Sequence, residues 1–199
     1  IYLERVLCSE SGGVQDQIAA AFGGLNRINF NADGYEVNPV IISPERKTQL
    51  NQNLMLFFTG FSRFSSDIQQ TTEKALVDKQ KQLLEMLSLV DDAEKVLTSK
   101  TDLNEFGRLL DYTWKLKRGI SNRISTDSID GLYAKGIAAG ALGGKLLGAG
   151  GGGFLLFYVE ADKQEAVHKA MEELLYVPFE FENSGTRVIH YTPETYEKR

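Results

Sequence analysis

The spacing of apolar residues changes several times along this chain, and each change marks an element. Residues 1–7, IYLERVL, set Tyr2, Leu3, Val6 and Leu7 on one face at helical spacing. After the loop CSESGG comes a short Ala-rich helix that Gly23-Gly24 stops. LNRINF and YEVNPV then flank Asn31-Ala32-Asp33-Gly34, which predicts a hairpin with Asp33-Gly34 supplying positive φ. The unbroken run LMLFF at 54–58 predicts a buried strand ending in Thr59-Gly60.

Residues 65–118 read as helix. Leu83, Leu84, Met86, Leu87 and Val90 recur at helical spacing, and Phe106, Leu109, Leu110, Thr113 and Trp114 resume it after a break at Thr101-Asp102. Asp102 is a candidate cap for the second helix. A third helix begins near Ser128, turns Ile129, Leu132, Tyr133, Ile137 and Ala141 inward, and is predicted to stop at Gly143-Gly144. FLLFYV (154–159) predicts a strand, 163–175 a helix, and VPFEF and RVIHY two strands joined by Asn183-Ser184-Gly185. The class is α+β, with a run of helices between two buried strands. A boundary near Pro44 separates a hairpin-containing piece, 1–43, from a helical-plus-sheet domain, 44–199.

Composition narrows the function. With 199 residues, 42% of them hydrophobic, the chain has material for a sizeable core. No stretch approaches the ~18 apolar residues of a membrane span, so no membrane role is expected. One cysteine, Cys8, permits no internal disulfide, and the expectation is a cytoplasmic protein. His168 and His190 are too far apart in sequence to suggest zinc. A net charge of −5 argues against nucleic acid as a partner. Because a natural domain rarely opens in mid-helix, further chain is expected upstream of Ile1.

The chemistry concentrates in Gly-rich segments. GAGGGG fits G-x-G-x-x-G through Gly148, Gly150 and Gly153, but the dinucleotide fingerprint must follow a strand and open a helix. Here a helix is expected before and a strand after, and no Gly-Lys-Ser or Gly-Lys-Thr of a Walker loop follows. What remains is a turn whose bare amides, Gly148 to Gly153 with Gly151 and Gly152 between, suit an anion or a closely approaching ligand. A tight packing turn is the plainer alternative. Asp16 follows Gly12-Gly13 at the start of a helix. It reads either as an N-cap or as an acid aimed into a cleft, flanked by Gln15 and Gln17. Glu4, one helix earlier, could share a metal with it or lie on the surface. Arg63, among hydroxyls after the buried strand, suits a phosphate clamp or a helix cap. Lys115 and Lys117 read as a solvated face and Trp114 as core. Arg118 and Arg123 flank a loop better placed for a ligand.

GGVQDQIAAAFGG, FFTGFSRFSSDI and KLLGAGGGGFLLF, in this order, resemble the C-terminal two-thirds of GHMP small-molecule kinases. YTWKLKRGISNRIS followed by IDGLYAKGIAAGALGGKLLGAGGGG is most similar to the sugar-anomeric kinases of the heptose 7-phosphate type. The resemblance implies a ferredoxin-like C-terminal sheet with helices, preceded by the end of an N-terminal α/β domain. It implies ATP and Mg²⁺ as cofactors and a sugar or sugar-phosphate hydroxyl as acceptor. Asp16 then becomes base or orienter, with Gly12, Gly13, Gln17, Arg63 and Arg118 around the substrate. Glu4 helps hold Mg²⁺, and the glycine loop lines the centre. Ser9 stands where a glycine is expected, and the family's Pro-x-x-x-Gly-Leu-Gly-Ser-Ser loop is missing, which predicts no activity for these residues alone. Other acceptors (fucose, galactose, mevalonate), a non-catalytic binding module and a homodimerising fragment are the competing readings.

Overall fold

The computed structural model describes residues 1–8, 13–60, 79–121, 124–148 and 152–192. The chain forms two compact units, one of Ile1–Gly12 with Val40–Glu180, the other of Gly13–Pro39 with Phe181–Arg199. The α+β class is as expected. No described helix is long and apolar enough to cross a membrane.

In the smaller unit, α1 (Gln15–Phe22) precedes the hairpin β1 (Asn26–Asn31) and β2 (Gly34–Pro39). Asn31 pairs with Gly34, and Asn31 Oδ1 accepts from Asp33 N at 2.9 Å, so an Asx turn closes the predicted hairpin. The expected strands at 177–181 and 187–191 do not form. Val188 and Ile189 are 80% and 90% exposed, and an apolar run with no sheet edge to pair with does not become a strand. The segment instead lies along the end of α1. Thr186 N donates to Ala20 O at 3.0 Å and Gly24 N to Glu182 O at 2.8 Å, satisfying groups that a helix terminus leaves open.

The larger unit opens with a π-helical turn, Leu3–Leu7, whose Tyr2, Leu3, Val6 and Leu7 are all exposed. Its core element is a four-stranded antiparallel sheet in the order β4-β5-β3-β6. The strands are β3 (Leu54–Phe58), β4 (Gly143–Leu147), β5 (Phe154–Tyr158) and β6 (Leu175–Tyr176). Among the described residues, α2 (Pro44–Gln52), α3 (Gln80–Thr98), α4 (Asn104–Arg118) and α5 (Asp127–Ala138) accompany them; α6 (Gln164–Ala170) follows a 3₁₀ turn. Ser43 caps α2 ahead of Pro44, a favoured N-terminal pair. Arg46 then reaches the end of α3, donating to the carbonyls of Leu97 at 2.7 Å and Thr101 at 2.8 Å, and also to Val96 O. Asp102 Oδ1 accepts from Asn104 N at 3.1 Å beside the start of α4. Trp114 is core, as expected, and its ring lies 6.2 Å from Tyr133, which lies 5.6 Å from Phe157. Leu83 and Met86 pack on this core, whereas Leu84, Leu87 and Val90 of the same helix are exposed.

One element differs from expectation in a way that matters. The third helix was expected to reach Gly143-Gly144, but α5 ends at Ala138 and 143–147 form strand β4. Here the two glycines mark close approach, not a helix stop. A Cβ on Gly143 would lie 2.0 Å from Gly107 O and 2.7 Å from Asp111 N, so β4 touches the backbone of α4. The glycine run therefore joins two antiparallel strands and does not leave a helix.

Two outcomes follow from this packing. Gly143→Ala should lower stability by about 3 kcal/mol, since neither backbone can yield, read as a fall in the urea midpoint. Tyr133 donates to Asp111 Oδ1 at 2.9 Å, and burial together with this bond raises its pKa above the ordinary 10.0. Because the folded state favours the neutral phenol, its contribution is complete below pH ~10 and fades as pH rises beyond it. Tyr133→Phe should flatten that alkaline loss in denaturation measured between pH 8 and 11, a window of roughly three units around the free phenol value.

Candidate active site

The sheet register decides where the glycine turn sits. Leu147 pairs with Phe154, Phe154 with Phe58, and Phe58 with Leu175. Four strand ends thus meet at one edge of the larger unit: the ends of β3 and β4 and the starts of β5 and β6. Gly148, directly after β4, and Gly152 and Gly153, directly before β5, lie there. Gly148 and Gly153 have φ of 105° and 113°, a region that a side chain would strain.

Thr59 fastens this turn. It is 4% exposed, and its Oγ1 donates to Gly153 O at 2.9 Å while accepting from Gly153 N at 3.2 Å. Thr59 N also donates to Gly153 O at 2.9 Å. The expectation of bare amides is thereby corrected for Gly153, whose N–H is taken up by the threonine. Gly148 is exposed and Gly152 buried, while Gly150 and Gly151 lie outside the described residues. The sequence signal for Thr59 was present, as the one hydroxyl ending an otherwise apolar run, but its partner lies 94 positions away.

Arg118 ends α4 and is already engaged: Nη1 donates to Asp130 Oδ1 on α5 at 2.7 Å, and Ser125 Oγ donates to the same oxygen at 2.7 Å. Its Nε is buried with no partner among the described residues. A phosphate would therefore meet a guanidinium held in place by one carboxylate. Glu4 lies half-buried in the opening π-helical turn of the same unit. No group of three or more His, Cys, Asp or Glu among the described residues could hold a metal by itself. A magnesium ion at Glu4 would have to complete its octahedron with nucleotide phosphates and water, which is its common habit.

In the smaller unit Asp16 is exposed in the first turn of α1, two residues past the N-cap position held by Val14, and no side chain caps this helix. The capping alternative for Asp16 therefore falls. Its carboxylate complements the positive end of the helix and makes no hydrogen bond to another described residue. Gly13 gives room to the Gln15 amide, which a Cβ would strike at 2.0 Å. Gln17 is half-buried, next to the buried Ile18. Gly12, Arg63 and Arg123 lie outside the described residues.

Residues 89–177 match the family described as GHMP kinases C terminal. This segment is a GHMP kinase C-terminal domain. It contains the turn, Thr59's partner Gly153 and the Arg118–Asp130 pair. Over 190 residues the chain is 35% identical to D-glycero-alpha-D-manno-heptose 7-phosphate kinase of Campylobacter jejuni, covering 93% of this chain and 56% of that protein. The structure of a putative sugar kinase from Campylobacter jejuni superposes with TM-score 0.61 at 28% identity, covering 92% of this chain and 52% of that one. A D-glycero-D-manno-heptose 1-phosphate kinase from Bacteriodes thetaiotaomicron gives 0.58 at 27%, covering 92% and 51%. The chain thus spans about half the length of these GHMP relatives. The resemblance read from the glycine-rich segments is borne out.

If Thr59 fixes the GHMP turn, Thr59→Val should cost about 2 kcal/mol, the loss of two buried hydrogen bonds, and speed amide exchange at Gly153. Thr59→Ser should keep both. In the smaller unit a Cβ on Gly185 would meet Ala21 O at 1.9 Å. Gly185→Ala should therefore loosen the helix that carries Asp16, seen as lost exchange protection across 18–22.

Proposed function

We propose that this chain is the C-terminal part of an ATP-dependent kinase that phosphorylates the anomeric hydroxyl of a sugar phosphate such as D-glycero-D-manno-heptose 7-phosphate. The observation that carries the proposal is the 35% identity, over 93% of the chain, to the Campylobacter jejuni heptose 7-phosphate kinase. The exposed, uncapped carboxylate of Asp16 and the firmly anchored glycine turn support it. Bound ATP with Mg²⁺ supplies the phosphoryl group, and Glu4 is the residue proposed to help hold the metal.

The residues of the chain then divide the work. Phosphoryl transfer has a loose transition state, so positioning and charge stabilisation matter more than covalent chemistry. A carboxylate is too weak a base to strip a sugar hydroxyl in the ground state. Asp16 instead accepts the proton as the oxygen–phosphorus bond forms, an effect worth about 10² to 10⁴ in rate. The anomeric hydroxyl, more acidic than its neighbours, makes so weak a base sufficient. Amides of Gly148, Gly150, Gly151 and Gly152 donate to developing negative charge at no cost of reorganisation. Gly12, Gly13 and Gln17 border the acceptor, and Arg63 and Arg118 grip the phosphate it already carries. The protein works in the cytoplasm on a small sugar phosphate. The 199 residues alone span about half of their relatives and are proposed to have no turnover without the segment that supplies the nucleotide-phosphate loop.

In the protein extended by that segment, Asp16→Asn should lower kcat by about 10²-fold or more and leave KM for the sugar phosphate within a few-fold. Steady-state kinetics with a coupled ADP assay reads both. Equal losses in affinity and turnover would reduce Asp16 to a structural residue, and an extended protein inert toward heptose 7-phosphate would remove the proposed acceptor.

A further inference from the structure

A cleft of about 460 Å³ opens in the larger unit beside the anchored turn. Its lining includes Thr59, Asp127, Ser128, Gly131, Lys135 and Glu173. Thr59 is thus shared: its Oγ1 holds the turn, and the same residue forms part of the cleft wall. Asp127, Ser128, Gly131 and Lys135 present one side of α5, and Glu173 comes from the segment leading into β6. The volume falls within the range of small-ligand sites and suits one sugar ring.

The chemistry of the lining selects the ligand. Lys135 Nζ lies 2.6 Å from Glu173 Oε1, so its charge is already neutralised, and Asp127 leaves the described lining net negative. A phosphate would be repelled. Among the described residues no aromatic ring lines the cleft to stack a nucleotide base. Hydroxyl groups, in contrast, find carboxylate acceptors and a hydroxyl that can both donate and accept. Capping does not occupy these groups, because Thr126 Oγ1 already accepts from Ile129 N at 3.3 Å. The side chains of Asp127 and Ser128 make no hydrogen bond to another described residue. The floor is open as well, since a Cβ on Gly131 would meet nothing within 4 Å.

We infer that this cleft binds the neutral, hydroxyl-bearing part of a sugar, with Asp127, Ser128 and Glu173 as its hydrogen-bonding residues. The identity of the ligand rests on the sugar-kinase reading above; the cleft and its charge do not. The test is a titration of the isotope-labelled 199-residue chain, followed by amide NMR, with D-mannose and separately with inorganic phosphate. Mannose should shift the amides of Ser128, Gly131 and Glu173 saturably, and phosphate should leave them unmoved. A Cβ on Gly131 meets no atom within 4 Å, and leucine suits a helix better than glycine, so Gly131→Leu should fold with an unchanged or higher urea midpoint. It should also weaken mannose binding about tenfold or more. Asp127→Asn with Ser128→Ala should weaken it similarly. Silent amides, an equal response to phosphate, or undiminished binding by Gly131→Leu overturns the inference. A responding cleft, with no kinase turnover in the protein extended by the nucleotide-phosphate segment, would leave the sugar site standing and sink the kinase reading; turnover of that extended protein with silent amides would do the reverse.

Discussion

The contact of two backbones at Gly107 and Gly143 governs the larger unit. Only without side chains at this crossing can β4 lie flush on α4, because a Cβ at 143 would sit 2.0 Å from the Gly107 carbonyl. Gly136 plays the matching part on α5, where a Cβ would fall 2.5 Å from the Phe157 ring. Helices brought this close bury Trp114, Tyr133 and Phe157 as one aromatic row. β4 in place then makes a hairpin with β5, and the hairpin delivers the glycine turn to the sheet edge where β3 ends.

Glycine therefore does two different things within a dozen residues. At 143 its lack of a side chain permits contact; at 148 and 153 its freedom at positive φ permits a turn. Such a turn would be poorly ordered by itself, since each fixed residue costs roughly 1 to 2 kcal/mol of backbone entropy. Three hydrogen bonds to Thr59 offset part of that cost at its C-terminal end. The same threonine borders the α5 cleft, so the pieces of the edge share one rigid post.

The smaller unit solves a comparable problem with less material. α1 has eight residues and one buried apolar side chain, Ile18, too little for a helix to stand alone in water. Its support comes from residues 182–186, which bond to the end of the helix through main chain. The apolar residues of RVIHY would have been used up in a sheet; the structure keeps the main-chain bonds of the preceding turn and leaves those side chains outside. Asp16 owes its position to that strap as much as to its own helix.

Periodicity alone was enough for β3, β5, α3, α4 and the start of α5, because each buries a face whose spacing is written in consecutive residues; β1 and β2, which bury no residue, were legible from the turn at Asp33-Gly34. The glycine-rich segments sufficed to mark the family. Three features depended on partners distant in sequence and were decided only by the tertiary structure. Gly143-Gly144 reads as a helix stop until α4 and Phe157 press against it. Thr59 reads as a strand end until Gly153 arrives from 94 positions away. VPFEF reads as a strand, yet only Val177 N reaches β3, at Leu56 O, before Pro178 removes the next donor, and RVIHY reads as one until its apolar side chains are left exposed. A local pattern fixes what a segment can bury, whereas contact across the fold fixes which backbone has room and which polar group finds its mate.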